Sequence, residues 1–113
     1  MIEYWHNPRC SKSRAGLALL QENGADPEVR KYLEDAPSAD EIRTVLAKLI
    51  IPAISMMRTG EKTFKELGLA KTSPDEKLVQ AMAEHPILIE RPLAIAGDKA
   101  AIGRPPENLL DLL

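Results

Sequence analysis

The chain opens on a short apolar run, Ile2-Glu3-Tyr4-Trp5, broken by Asn7-Pro8, which reads as a first β-strand. Ala15, Ala18 and Leu19, with Leu17 and Leu20, then predict a largely buried helix from about Ser11 to Asn23, closed by Gly24. Val29–Tyr32 is a candidate second strand. Ser38-Ala39-Asp40-Glu41 has the Ser and Glu spacing of a capping box, and Ile42, Val45, Leu46 and Leu49 follow at helical spacing until Pro52. A shorter helix is expected over Ala53–Arg58. Ser73-Pro74-Asp75-Glu76 reads as a second capping box, ahead of an apolar face of Leu78, Val79, Met82 and Ala83 that stops at His85-Pro86.

The pattern then shifts to strand texture. Ile87–Glu90 and Leu93–Ala96 flank Arg91-Pro92, Gly97-Asp98 signals a hairpin turn, and Lys99–Ile102 returns. After Gly103-Arg104-Pro105-Pro106 a last helix is expected over Glu107–Leu113. A βαβ unit, several helices and a ββα unit, with a cysteine directly after the first strand, predict an α/β thioredoxin-like fold with a mixed sheet and a helical insertion. In such a fold the Arg91–Pro92 bond is expected to be cis and to face Cys10.

Composition narrows the function. A length of 113 residues predicts one domain spanning residues 1–113. A formal net charge of −2, with one Trp, two Tyr and one Phe, argues against a nucleic-acid surface. No apolar run approaches the roughly 20 residues of a membrane helix, and Met1–Trp5 lacks the basic start of a signal peptide. The single cysteine excludes an internal disulfide. The expectation is a cytoplasmic protein with no membrane or nucleic-acid partner.

That cysteine is the main candidate for chemistry. Cys10 lies among Arg9, Ser11, Lys12, Ser13 and Arg14 at the start of the first helix, where cations and unpaired N–H groups favour a thiolate. A structural core cysteine would have apolar neighbours. Cys10-Ser11-Lys12-Ser13 puts Ser13 where a dithiol enzyme keeps its resolving thiol. His6, four residues earlier, either pairs with the thiolate or only orders the loop. A tyrosine-phosphatase loop needs an arginine six residues after the cysteine, and Gly16 stands there. His6, Cys10 and His85 are too few ligands for a zinc site, so no metal is expected. Arg91 and Arg104 each lie beside a proline, and guanidinium forks suit tetrahedral oxyanions.

The segments His6–Arg14, Tyr32–Glu34, Lys65–Leu69, His85–Pro92 and Ile102–Pro105 resemble, in order and spacing, the glutaredoxin-coupled arsenate reductases, and most closely their short YfgD-type branch. The match spans nearly the whole chain. The resemblance implies an arsenic-detoxifying oxidoreductase in which Cys10 is the nucleophile, His6 and Ser13 support it, and Arg58, Arg91 and Arg104 bind the oxyanion. It implies no bound cofactor, with glutathione as co-substrate and glutaredoxin as partner. In the implied mechanism the Cys10 thiolate attacks arsenate, glutathione attacks the adduct, and glutaredoxin removes the glutathione as arsenite leaves. Two alternatives stand beside this one. A glutathione-dependent thiol–disulfide oxidoreductase would use the thiolate without the arginines, and a thioredoxin-like regulatory binding protein would need neither.

Overall fold

The computed structural model describes residues 1–113 and divides into two compact units, Met1–Asp35 with Arg91–Leu113, and Ala36–Glu90. The first unit is an α/β layer in thioredoxin-like order. Strand β1 (Ile2–Trp5) leads into helix α1 (Ser11–Glu22), then β2 (Glu28–Arg30), β3 (Leu93–Ala96), β4 (Lys99–Ile102) and a 3-10 helix over Pro106–Leu112. The sheet runs β2-β1-β3-β4, with β1 parallel to β2 and the other pairs antiparallel. Tyr4 pairs with Val29 on one side and Ala94 on the other, so β1 is a central strand. Tyr4 and Trp5 point to opposite faces of the strand and both are buried, so both faces of β1 are covered here. Ile2, Tyr4, Leu20, Ala94 and Leu109 form the core of this unit.

Helix α1 departs from its apolar pattern. Its buried residues are Ser13, Gly16 and Leu20, while Ala15 and Ala18 are exposed. Close packing decides the face. A Cβ on Gly16 would lie 2.5 Å from Tyr4 Oη, 2.9 Å from Leu109 Cδ1 and 3.0 Å from Pro92 Cγ. The helix therefore presents its smallest residue to the sheet and to the C-terminal turn.

The second unit is the helical insertion. Helix α2 (Ala39–Leu49) packs on α4 (Asp75–Glu84), with a 3-10 turn at Ala53–Met56, a short α3 (Lys62–Glu66) and a 3-10 turn at Pro86–Leu88. The first capping box forms as expected. Ser38 Oγ accepts from Glu41 N–H, and Glu41 Oε1 accepts from Ser38 N–H, each at 3.1 Å. Arg43 joins the two helices by pairing with both Asp40 and Glu76.

The second capping box does not form. Ser73 Oγ accepts from Ala70 N–H at 3.0 Å, and Pro74 is the uncapped N-cap of α4. Ile87–Glu90 is not a strand: Pro86 starts a 3-10 turn, and only Ile89 makes an isolated antiparallel bridge, to Met57. Ala53–Met56 and Pro106–Leu112 are 3-10 rather than α-helical, and β2 is shorter and earlier than Val29–Tyr32. Helix α3 is too short for periodicity to reveal.

Candidate active site

Cys10 is the N-cap residue of α1, in extended conformation with φ −94° and ψ 122°. Its N–H donates to the Asn7 carbonyl at 3.0 Å, and its carbonyl accepts from Arg14 N–H at 3.0 Å, starting the helix. No acidic residue occupies the first turn to offset the dipole. The thiol is 9% exposed. Burial alone would push its pKa up. Stabilisation of the anion by the Ser13 backbone N–H, the Arg91 guanidinium and the Lys12 backbone N–H outweighs burial and holds the pKa below the ordinary thiol value. The site thus favours a thiolate without a second cysteine.

His6 and Ser13 form a buried pair beside it. His6 Nδ1 lies 2.7 Å from Ser13 Oγ, which also accepts from Asn7 N–H at 3.0 Å. The Ser13 hydroxyl is thereby tied to the loop, and the part of Ser13 that favours the thiolate is its backbone N–H. Burial lowers the His6 pKa, and the nearby Lys31 and Arg14 charges lower it further, so the ring is neutral at pH 7. Arg14 closes the same loop by donating from Nη1 to the Pro8 carbonyl at 2.8 Å.

The arginines separate into two groups. Arg91 is half-buried, with Nε and Nη1 shielded from solvent, and its guanidinium lowers the Cys10 pKa. It precedes a cis peptide bond to Pro92, as expected, and Arg104 precedes a second one to Pro105. Arg104 Nε donates to the Arg91 carbonyl at 2.7 Å, which lays the exposed Arg104 side chain against the Arg91 backbone. Arg58 lies in the helical unit. Its Nη1 pairs with Glu61 Oε1 at 2.8 Å, and its N–H donates to the Leu88 carbonyl at 2.8 Å.

The chain's residues 5–112 match the model of the ArsC family. The chain belongs to the ArsC family. An arsenate reductase of Neisseria meningitidis is 48% identical over 110 residues, covering 96% of this chain and 94% of that one. The Escherichia coli protein YfgD, described as uncharacterized, is 48% identical over 114 residues, with 99% and 96% covered. A solved arsenate reductase of Vibrio cholerae superposes with a TM-score of 0.94 at 46% identity, covering 99% of this chain and 97% of that one.

Within this ArsC-family chain one contributor escaped the sequence reading. Tyr4 is wholly buried and donates from Oη to the Ser13 carbonyl at 2.7 Å, pinning the first turn of α1 to β1. Its place two residues after Ile2, on the same inward-facing side of the strand, was the available signal. Burial raises its pKa well above the ordinary phenol value, so it stays a donor. No three His, Cys, Asp or Glu side chains converge to hold a metal, and no helix is long and apolar enough to cross a membrane.

Proposed function

We propose that this chain is a cytoplasmic arsenate reductase that works through a Cys10 thiolate and draws its electrons from glutathione and glutaredoxin. The observation that carries the reading is Cys10 at the N-cap of α1, its pKa held below the ordinary thiol value by the first-turn backbone N–H groups and the Arg91 guanidinium. The same donors that favour a thiolate suit a tetrahedral oxyanion arriving at it. Relatives named arsenate reductase, 48% identical over nearly the whole chain, support the substrate.

Cys10 attacks arsenic, forming a sulfur–arsenic bond while one oxygen leaves as water. Arg91 and Arg104 hold the remaining oxygens, and Arg58 has that role on the family resemblance alone. Glutathione then adds its sulfur to arsenic and displaces a second oxygen as water. The glutaredoxin thiolate attacks the glutathione sulfur, forming a mixed disulfide. The electron pair of the broken sulfur–arsenic bond stays on arsenic, taking it from As(V) to As(III). Water cleaves the bond to Cys10, and arsenite leaves with the thiol regenerated. His6 and Ser13 keep the loop in place through the cycle.

The test is arsenite production with glutathione and glutaredoxin supplied together, singly, or replaced by thioredoxin. Activity only with the pair, abolished by Cys10→Ser, is expected. Reduction of a glutathione mixed disulfide without any arsenate reduction would assign the chain to thiol–disulfide exchange instead.

A further inference from the structure

The reaction above leaves one pocket unused. Strands β1 and β2 are parallel, so the loops after them emerge at the same, carboxyl edge of the sheet, where ligands of open α/β sheets gather. The His6 N–H extends the ladder by donating to the Arg30 carbonyl at 2.8 Å, and beyond that contact the two connections part. Between them lies a pocket of about 270 Å³, walled by the His6–Arg9 loop on one side and by Lys31, Leu33 and Glu34 on the other.

We propose that this pocket seats the external thiol, and that the thiol is a small zwitterionic peptide with two carboxylates and one ammonium. The proposal rests on the external-thiol reading given above. Its charges supply the first argument. Arg9 and Lys31 offer a cation from each wall, and Glu34 offers one carboxylate. The ion pairs of this unit join Arg30 to Glu3 and Asp35 and do not include these three side chains. Two cations and one anion complement two carboxylates and one ammonium.

Shape supplies the second. Leu33 is 43% exposed and, with Pro8, gives the pocket an apolar surface for aliphatic linkers. The volume is just below that of small-molecule sites, about 300–1,000 Å³, so it takes part of such a peptide and leaves the remainder outside. Location supplies the third. The pocket wall is the loop that ends on Cys10, and the Cys10 N–H is bonded to the Asn7 carbonyl of that wall. A peptide anchored there is one loop away from the sulfur it must meet.

The experiment separates binding from turnover. S-methylglutathione, which cannot react, is titrated into the Cys10→Ser protein by calorimetry or NMR. Saturable binding is expected, with amide shifts in His6–Arg9 and Lys31–Glu34, weakened about three- to tenfold by Lys31→Glu, the scale of losing and reversing an exposed ion pair. In the chain with Cys10 intact, Lys31→Glu is expected to raise KM for glutathione by a similar factor, with KM for arsenate within about twofold. Glu34→Lys is expected to weaken glutathione and to strengthen mercaptosuccinate, a thiol with two carboxylates and no ammonium. Intact turnover with an unchanged KM for glutathione in both variants would overturn the pocket while leaving the proposed reaction standing. A rise in KM for glutaredoxin alone would also overturn it, as a protein-docking surface. Charge-dependent binding without any arsenate reduction would uphold the pocket and remove the reaction.

Discussion

The hydroxyl of Tyr4 stands 2.5 Å from the point a Cβ would occupy on Gly16. The strand reaches the helix backbone only because the helix has no side chain there. Gly16→Ala is therefore expected to cost about 1–3 kcal/mol, as overpacking does. Tyr4→Phe loses one buried hydrogen bond, about 0.5–1.5 kcal/mol. Because Tyr4→Phe also removes the tightest of the three contacts at Gly16, the double variant is expected to be more stable than the two losses added. Chemical denaturation of all four proteins measures this, and strict additivity would show that Leu109 and Pro92 set the limit instead.

Cys10 is expected to alkylate with a pH midpoint below that of an ordinary thiol, about 8.5, in buffer free of phosphate and sulfate. Arg91→Lys moves the midpoint upward, because the guanidinium that stabilises the thiolate is gone. An unperturbed midpoint in the wild type would count against preorganised activation.

Arg91→Lys and Arg104→Lys keep charge but lose bidentate geometry. Each is expected to lower kcat/KM for arsenate at least about tenfold, or 1.4 kcal/mol of transition-state stabilisation. The melting temperature is expected to change little. Wild-type kcat/KM in both variants would exclude them from oxyanion binding.

The lowered His6 pKa makes stability depend on pH in a defined direction. Above about pH 6.5 the ring is neutral in both states, and its full contribution is present. As pH falls below that value the unfolded chain takes up a proton that the folded chain resists. Stability then drops by up to about 1.4 kcal/mol per pH unit until the folded ring protonates too. Denaturant unfolding at pH 5 to 8 follows this, and His6→Asn, which does not titrate, is expected to flatten the curve. Equal slopes in both proteins would assign the effect to other groups.

Ile50 ends α2 in the left-handed region with φ 55°, and its side chain is 88% exposed. A β-branched residue there is strained and packs against little. Ile50→Gly is expected to stabilise the protein by about 1 kcal/mol, read as a rise in melting temperature of a few degrees. A fall would mean that the exposed isoleucine contributes contacts of its own.

Much of this fold was legible in the chain because its signals are local. Ile2–Trp5, Leu93–Ala96 and Lys99–Ile102 alternate or run apolar between turn residues, and each is a strand with those bounds. What misled was context. Ala15 and Ala18 read as core, but the approach of Tyr4 and Pro92 selected the Ser13–Gly16 face, which no periodicity reports. Ser73 has cap spacing, yet its hydroxyl found Ala70 N–H first. Cys10 stood out through its neighbours in the chain. The Arg91 contact and the Tyr4 clamp depend on strand pairing across the length of the chain, which neighbours do not encode.

The sheet unit is assembled from both flanks of the helical insertion, with Tyr4 paired to Ala94. During synthesis β1 and α1 emerge early, and the strand that completes their pairing follows only after the whole insertion has been made. Closing so long a loop is slow relative to local helix formation. The Cys10 peptide thus leaves the ribosome without the arginine that tunes it, and its thiol gains its full reactivity only when the finished chain has closed its sheet.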